Sequence, residues 1–369
     1  MPTVEDYERA GLYDPKSESA TDRLALLEYL AGHGMTIEQM VDGEARRSLH
    51  ATLADHILRP GERYTLGEIA NRAAVAIEDV ERWRRAVGFP PVDHDERIFT
   101  AAEADTFIHA QTGAALFGER AALGFSRVMG SSMARIAESA VWLFLSSVEA
   151  PLVEQQAGEL ALAQANVEAV NLLAAIPPAM DTIFRFQVET AIRRSRMTRR
   201  HHSFDTAEMG VGFVDLVGFT TLSHQLSTRE LMELVQEFEA RAFDVVTAHD
   251  GRVVKLIGDE VMFVTLDASS LCEVALTLLE PFGAGESTVT PRGGLALGGL
   301  LSYGGDYYGP IVNLASRIAD SAVPHEILVT PDVRDATAEA SSAFRFDPAG
   351  RRMLKGFEDP VELFSLTRV

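Results

Sequence analysis

The chain has 369 residues and a formal net charge of −21, with acidic residues in surplus in both halves. That balance argues against a nucleic-acid footprint and suits a protein that recruits divalent cations. The length predicts two domains, the 47% hydrophobic and 24% charged composition is that of a folded globular chain, and one cysteine excludes an intrachain disulfide.

Residues 1–183 read as helix throughout. Apolar residues recur at helical spacing in Asp22–Gly34 and Glu154–Ile176, with Gly34 as a C-cap and Pro177–Pro178 marking a break. The N-terminus, MPTVEDYERAG, lacks the basic-then-apolar order of a signal peptide. The best apolar run, Ala140–Leu145, falls far short of the roughly 18 residues a spanning helix needs. The expectation is therefore no membrane span and a cytoplasmic location.

Tyr64–Pro91 has the pattern of a helix-turn-helix, with Leu66, Ile69 and Ala70 on one helix and Ile77, Val80 and Trp83 on the next. Arg82, Arg84 and Arg85 would form its basic face, so a DNA-binding module stands as the rival to a hairpin used for packing. The apolar segments Gly113–Gly130 and Ala140–Val148 could line a small-molecule or lipid pocket, against the plainer reading of ordinary core.

Residues 184–203 keep helical spacing at Phe186, Val188 and Ile192, then turn basic at Arg193, Arg194, Arg196, Arg199 and Arg200. They read as a solvated linker helix, or as one that docks on the acidic second half and controls it. His201 and His202 titrate in the range of a pH sensor, or are simply exposed linker residues.

From Met209, in residues 204–369, the periodicity switches. MGVGFVDLV reads as a buried strand and Thr228–Ala248 as a helix, N-capped by Ser227 or Thr228 with Glu230 in its first turn. A hairpin follows, GRVVKL and VMFVTL around IGDE, then a helix near Leu271–Leu279 that places Cys272 in the core. The Gly-rich strand PRGGLALGGLLSYGGDYYG, a helix over Pro310–Ser321, the strand EILVT and a final strand pair complete the order. β-α-β-β-α-β is the ferredoxin-like signature, so an all-α domain ahead of an α+β domain is the expected fold.

Asp215 ends one apolar β-pattern and Asp259 sits in the hairpin turn; adjacent carboxylates there could share hard cations, whose natural ligands are oxygens. Taken singly, each reads more readily as a salt-bridged or turn-capping Asp. Lys255 lies in a strand otherwise filled by Val253, Val254, Leu256 and Ile257, where the plain reading is an edge-strand gatekeeper. Asp306 follows a double glycine. Asn313 and Arg317 are four apart and share a helix face. Together the six fit two-metal phosphoryl transfer, with the arginine meeting charge that grows in the transition state.

FVDLVGFT, KLIGDEVMFV and GDYYGPIVNLASR resemble, in order and spacing, the signature segments of class III nucleotidyl cyclases, whose catalytic domain is palm-type. The resemblance covers about Phe204–Val369. It implies that Asp215 and Asp259 bind two divalent cations, Mg²⁺ or Mn²⁺, and that Lys255 and Asp306 recognise the adenine of ATP. It further implies that Asn313 orients the ribose and Arg317 stabilises the pentavalent phosphate. The Lys/Asp pair is the adenylyl form, and family members share each site between the two copies of a homodimer. Diguanylate cyclases share the core, and IGDE and GGDYYG superficially resemble their turn motif, but neither is that motif. An all-α half ahead of this domain is similar to actinobacterial pH-responsive adenylyl cyclases, which implies an autoinhibitory regulatory domain.

Overall fold

The helical periodicity of the first half is realised as an almost strand-free array. The computed structural model describes residues 1–198, 206–280, 289–338 and 342–369 and divides into two units, Met1–Phe186 and Gln187–Val369. The first contains helices Val4–Arg9, Ala20–Gly32, Ile37–Ala45, Thr52–Leu58, Leu66–Ala73, Ile77–Ala86, Ala101–Phe117, Glu119–Phe144, Ala150–Glu154 and Glu159–Leu173. A further helix, Ile176–Thr198, runs past its end. Gly34 adopts φ +87° just beyond its helix, as a left-handed C-terminal residue should. The break expected at Pro177–Pro178 falls slightly earlier, and both prolines lie in the first turn of Ile176–Thr198, where a missing N–H does no harm.

Two small cores hold this unit. Tyr7, Leu26, Leu30, Met40 and Leu53 form one with Ala163 and Val167. Leu66, Ile69, Ala73, Val80, Phe99 and Phe107 form the other. Asp22 Oδ2 accepts the backbone N–H of Glu159 at 2.6 Å, capping a distant helix. On Ile77–Ala86 Arg82 pairs with Asp79 and Glu119, and Arg85 with Glu81, in half-exposed surface ion pairs. Arg84 is only 8% exposed, over the rings of Phe89 and Phe99. The helix pair packs into the second of these cores through Leu66, Ile69, Ala73 and Val80.

The expectation of no membrane-length helix needs correcting. Glu119–Glu154 (36 residues) and Glu159–Met197 (39 residues) are long and apolar enough to cross a membrane by length and composition. Single Gly, Ser and charged residues break up the apolar runs, while abundant Ala, Leu, Val and Phe keep the average hydropathy high. These helices expose Phe125, Met133, Val141, Trp142, Leu143 and Leu172. In the basic segment Arg185 pairs with Asp181 and Arg193 with Glu189 along the helix itself. Arg199, Arg200, His201 and His202 lie outside the described residues.

The second unit is an eight-stranded sheet. Its strands are β1 (Thr206–Val217), β2 (Arg252–Ile257), β3 (Glu260–Thr265), β4 (Thr290–Tyr303), β5 (Asp306–Tyr308), β6 (Ile327–Val329), β7 (Phe344–Arg352) and β8 (Val361–Arg368). The order is β2-β3-β1-β4-β6-β8-β7, with β5 paired to β4. Only β4–β6 is parallel among these pairs. The first four strands with helices Thr228–Ala248 and Ala268–Leu278 make the expected ferredoxin-like core. Ser227 caps the first helix in a reciprocal box with Glu230.

Each face of the sheet has its own core. Val214, Leu216, Val261, Phe263 and Cys272 pack with the two crossover helices; burial pushes the Cys272 thiol up to about 12, so it is inert packing. Phe213, Met262, Ala296, Ala315 and Ala319 pack on the other face, under helix Pro310–Ser321. That helix approaches β4 at Gly294, where a Cβ would collide with the backbone of Ala315 and Ala319. Gly294→Ala should therefore lift the helix and destabilise the second unit by about 1–3 kcal/mol, read as a lower unfolding midpoint; an unchanged midpoint would show that the helix is not seated by this glycine.

Candidate active site

β1 lies between β3 and β4, so Asp215 has a fixed neighbour on each side: Glu260 on β3 and Arg292 on β4. Alternation puts Asp215 on the face of Phe213, under helix Pro310–Ser321. Its side chain is 19% exposed and that of Arg292 24%. Such a carboxylate needs a cation, and Arg292 supplies one: Nε donates to Oδ1 at 2.9 Å and to Oδ2 at 3.2 Å, and Nη2 to Oδ2 at 3.0 Å.

Asp259 occupies the β2–β3 turn, and its carbonyl accepts the N–H of Leu216 at 3.2 Å, which holds the turn against the end of β1. Burial raises the Asp259 carboxyl above the usual carboxylate range, with the charge of Asp215 adding to it. Glu260 is pushed up to about 7, first by burial and then by the charges of Asp215, Asp320 and Asp259. Two or three carboxylates at one strand end with one arginine is an unbalanced set, suited to receiving a further cation.

The Lys255–Asp306 contact is made within one chain. Lys255 Nζ donates to Asp306 Oδ2 at 2.6 Å, with the side chains 38% and 26% exposed. Asp306 opens β5 directly after the Gly304–Gly305 turn, and its Oδ1 accepts the N–H of Tyr307 at 2.7 Å. Arg252 donates to the carbonyl of Gly305 at 2.6 Å and lies over the Tyr307 ring, fastening the β4–β5 hairpin to β2. Lys255 is opposite Met262 in register, so it shares the Asp215 face.

Asn313 and Arg317 lie on helix Pro310–Ser321; Asn313 is exposed, and Arg317 Nη1 donates to Asp320 Oδ2 at 2.7 Å. Sequence reasoning missed Arg292, Glu260 and Asp320. Arg292 stands in a string read only as a Gly-rich strand, and nothing but the β1–β4 register reveals its partner.

Among the described residues no group of three or more His, Cys, Asp or Glu is placed to hold a metal ion alone. Two carboxylates nevertheless fit Mg²⁺ or Mn²⁺, which take oxygen ligands and usually complete their shell with water and substrate phosphates. In the helical unit, a cleft of about 330 Å³ is lined by Val80, Trp83, Phe107, Ala114 and Leu123 among others. Part of Gly113–Gly130 contributes to it, whereas Ala140–Val148 does not.

The adenylate cyclase regulatory domain family matches residues 5–192, and the adenylate and guanylate cyclase catalytic domain family matches residues 202–368. Fold and sequence thus define a nucleotidyl cyclase unit behind a helical regulatory unit. The chain is 34% identical to an uncharacterised protein of Mycobacterium tuberculosis, Rv2212, over 97% of this chain and 93% of that one. It is 32% identical to an adenylate cyclase of Streptomyces coelicolor, over 84% of this chain and 82% of that one. With a pH-sensitive adenylate cyclase of M. tuberculosis it shares 29% identity, over 97% and 91%. Among solved structures, the adenylyl cyclase CyaB of P. aeruginosa matches at 21% identity and a TM-score of 0.38, over 44% of this chain and 94% of that one. The chain belongs to the adenylate cyclase family and is an enzyme, as its signature segments implied.

Glu260 carries a pH signature. Its folded pKa lies above the ordinary Glu value, so the folded state holds the proton more tightly. Its burial then costs stability as pH rises through the window from the ordinary Glu value to about 7. Glu260→Gln in chelator should gain about 1 kcal/mol at pH 8 after allowing for solvent screening, and nothing at pH 4. Melting midpoints at the two pH values check this; an equal gain at both would assign it to packing.

Proposed function

We propose that this enzyme converts ATP to 3′,5′-cyclic AMP and pyrophosphate. The observation carrying this reading is the pairing of Lys255 with Asp306 on the same sheet face as Asp215. The ammonium offers donors to a ring nitrogen of adenine and the carboxylate accepts from the exocyclic amino group. Guanine presents the opposite pattern on that edge, so the pair favours ATP.

In the proposed reaction the ribose 3′-oxygen bonds to the α-phosphorus, the bond from that phosphorus to the bridging oxygen breaks, and pyrophosphate leaves. Asp215 and Asp259 would hold two divalent cations, Mg²⁺ or Mn²⁺, which when bound acidify the hydroxyl and neutralise the phosphates. Asn313 would orient the ribose. Arg317 would meet the charge that develops on the phosphoryl oxygens. Its present partner Asp320 is half-exposed, and such an i,i+3 pair contributes only a few tenths of a kcal/mol, so a polyphosphate displaces it readily.

Two copies of the chain are proposed to share each site, one supplying the metal ligands and the other Lys255, Asp306, Asn313 and Arg317. Exposed Leu301, Tyr303 and Tyr308 on the β4–β5 hairpin support a covering partner. We place a regulatory domain at 1–183, a linker at 184–203 and the catalytic domain at 204–369. The first part is proposed to inhibit, with His201 and His202 as candidate pH sensors, and the protein to act in the cytoplasm. The cleft at Trp83 is the place for any apolar small-molecule or lipid ligand of the regulatory half.

Full-length protein with Mn²⁺ and ATP should produce cyclic AMP, and Asp215→Ala and Arg317→Ala should each reduce turnover at least a hundredfold. Mixing Asp215→Ala with Lys255→Ala chains should restore activity through one intact site; none from proven heterodimers would sink the shared-site reading. Residues 204–369 alone should be more active than the full chain, most clearly at the pH where the latter is silent. Lower activity from pH 5.5 to 8 would make the first half an activator.

A further inference from the structure

Arg292 does more than neutralise Asp215. While Nε and Nη2 bind the carboxylate, Nη1 donates to the carbonyls of Asp320 and Ala322, each at 3.1 Å. Helix Pro310–Ser321 ends there, with Ala322 as its C-cap. Terminal carbonyls lack partners within their own helix, and a cation at that end also meets the negative pole of the helix dipole. One guanidinium thus spans a candidate metal ligand and the end of the helix bearing Asn313 and Arg317. Arg352 donates to the adjacent carbonyl of Ser321, so two arginines gather around this terminus.

We propose that Arg292 is a positioning residue that ties Asp215 to the C-terminal end of helix Pro310–Ser321, and that a divalent cation bound at Asp215 breaks this tie. The proposal rests on the reading of Asp215 as a metal ligand. Three of the arginine's contacts engage both carboxylate oxygens, and a cation on those oxygens would stand against a guanidinium of like charge. Uptake of the ion therefore competes with Arg292. As the guanidinium leaves, the carbonyls of Asp320 and Ala322 lose their donor and the helix end loosens. In a shared-site dimer that helix serves the opposite site, so metal occupancy at one site would reach the catalytic groups of the other. Arg292 and Asp215 are a fixed cross-strand pair, so the exchange needs only side-chain movement.

The test is Mn²⁺ binding to the nucleotide-free full-length protein, followed by electron paramagnetic resonance, with hydrogen exchange read at amides 316–322. Arg292→Gln should bind Mn²⁺ about tenfold more tightly than wild type, because the competing charge-assisted contact is gone. Mn²⁺ should speed exchange at the helix end in wild type, and Arg292→Gln should show fast exchange with or without the ion. Arg292→Lys keeps the charge but not the planar fork, so it should loosen the helix end without the gain in affinity. Unchanged or weaker Mn²⁺ binding in Arg292→Gln overturns the tie; a role confined to contacting substrate phosphates gives the first result. Should that variant not fold, a wild-type helix end indifferent to Mn²⁺ overturns it equally. Asp215→Ala separates the two readings: if wild type has no Mn²⁺ site that this change removes, the metal assignment itself has failed.

Discussion

A carboxylate in the central strand of a sheet sets the terms for the catalytic unit. β1 is hydrogen-bonded on both edges, so the position of Asp215 is fixed by two ladders rather than by a loop. Its charge has to be balanced where it stands, because leaving it unpaired would cost several kcal/mol. Arg292 does so from β4, and the same guanidinium terminates the helix above. The acidic residues on the other side, Asp259 and Glu260, leave the set short of positive charge. A site that is incomplete in this way is rigid in its backbone and unsatisfied in its charge, which is the condition for taking up a cation tightly without rearranging the fold.

The remaining groups are positioned by other means. Small residues let helix Pro310–Ser321 approach the sheet closely: Gly294 below it, Ala315 and Ala319 on its buried face. Asn313 is thereby held on a seated helix while remaining exposed. Lys255 and Asp306 depend on the β4–β5 hairpin, which Arg252 fastens to β2. The metal-ligand candidates and the base-recognition candidates thus share a face but rest on separate supports.

What could be read from the sequence follows a simple physical boundary. Local signals were legible: the Ser227–Glu230 cap, the hairpin around Asp259, and the glycine after the first long helix all depend on residues within a few positions of each other. Asp215, Lys255 and Asp259 stood out as polar residues in apolar β-patterns and the roles of all six candidates were implied by family resemblance, whereas the direct Lys255–Asp306 contact is seen only in the structure. Arg292 was invisible because its partner is 77 residues away and is assigned by strand register. The partners of Arg82 and Arg84 on Ile77–Ala86 were hidden in part for the same reason, since Glu119 and Phe99 belong to other segments. The long apolar helices escaped notice because an uninterrupted run is a poor measure of a helix whose apolar residues are interrupted by single Gly, Ser or charged residues.

Those helices bear on the same question as the catalytic site. Glu119–Glu154 exposes three consecutive apolar side chains, Val141, Trp142 and Leu143. Lipid could cover them, but Arg135 and Glu138 lie within one or two turns, and burying a charged side chain mid-bilayer costs about 2.5–3.5 kcal/mol even on the mildest scale. A protein surface accommodates such charges at its rim while covering the aromatic and aliphatic centre. The proposed catalytic site calls independently for a second copy of the chain.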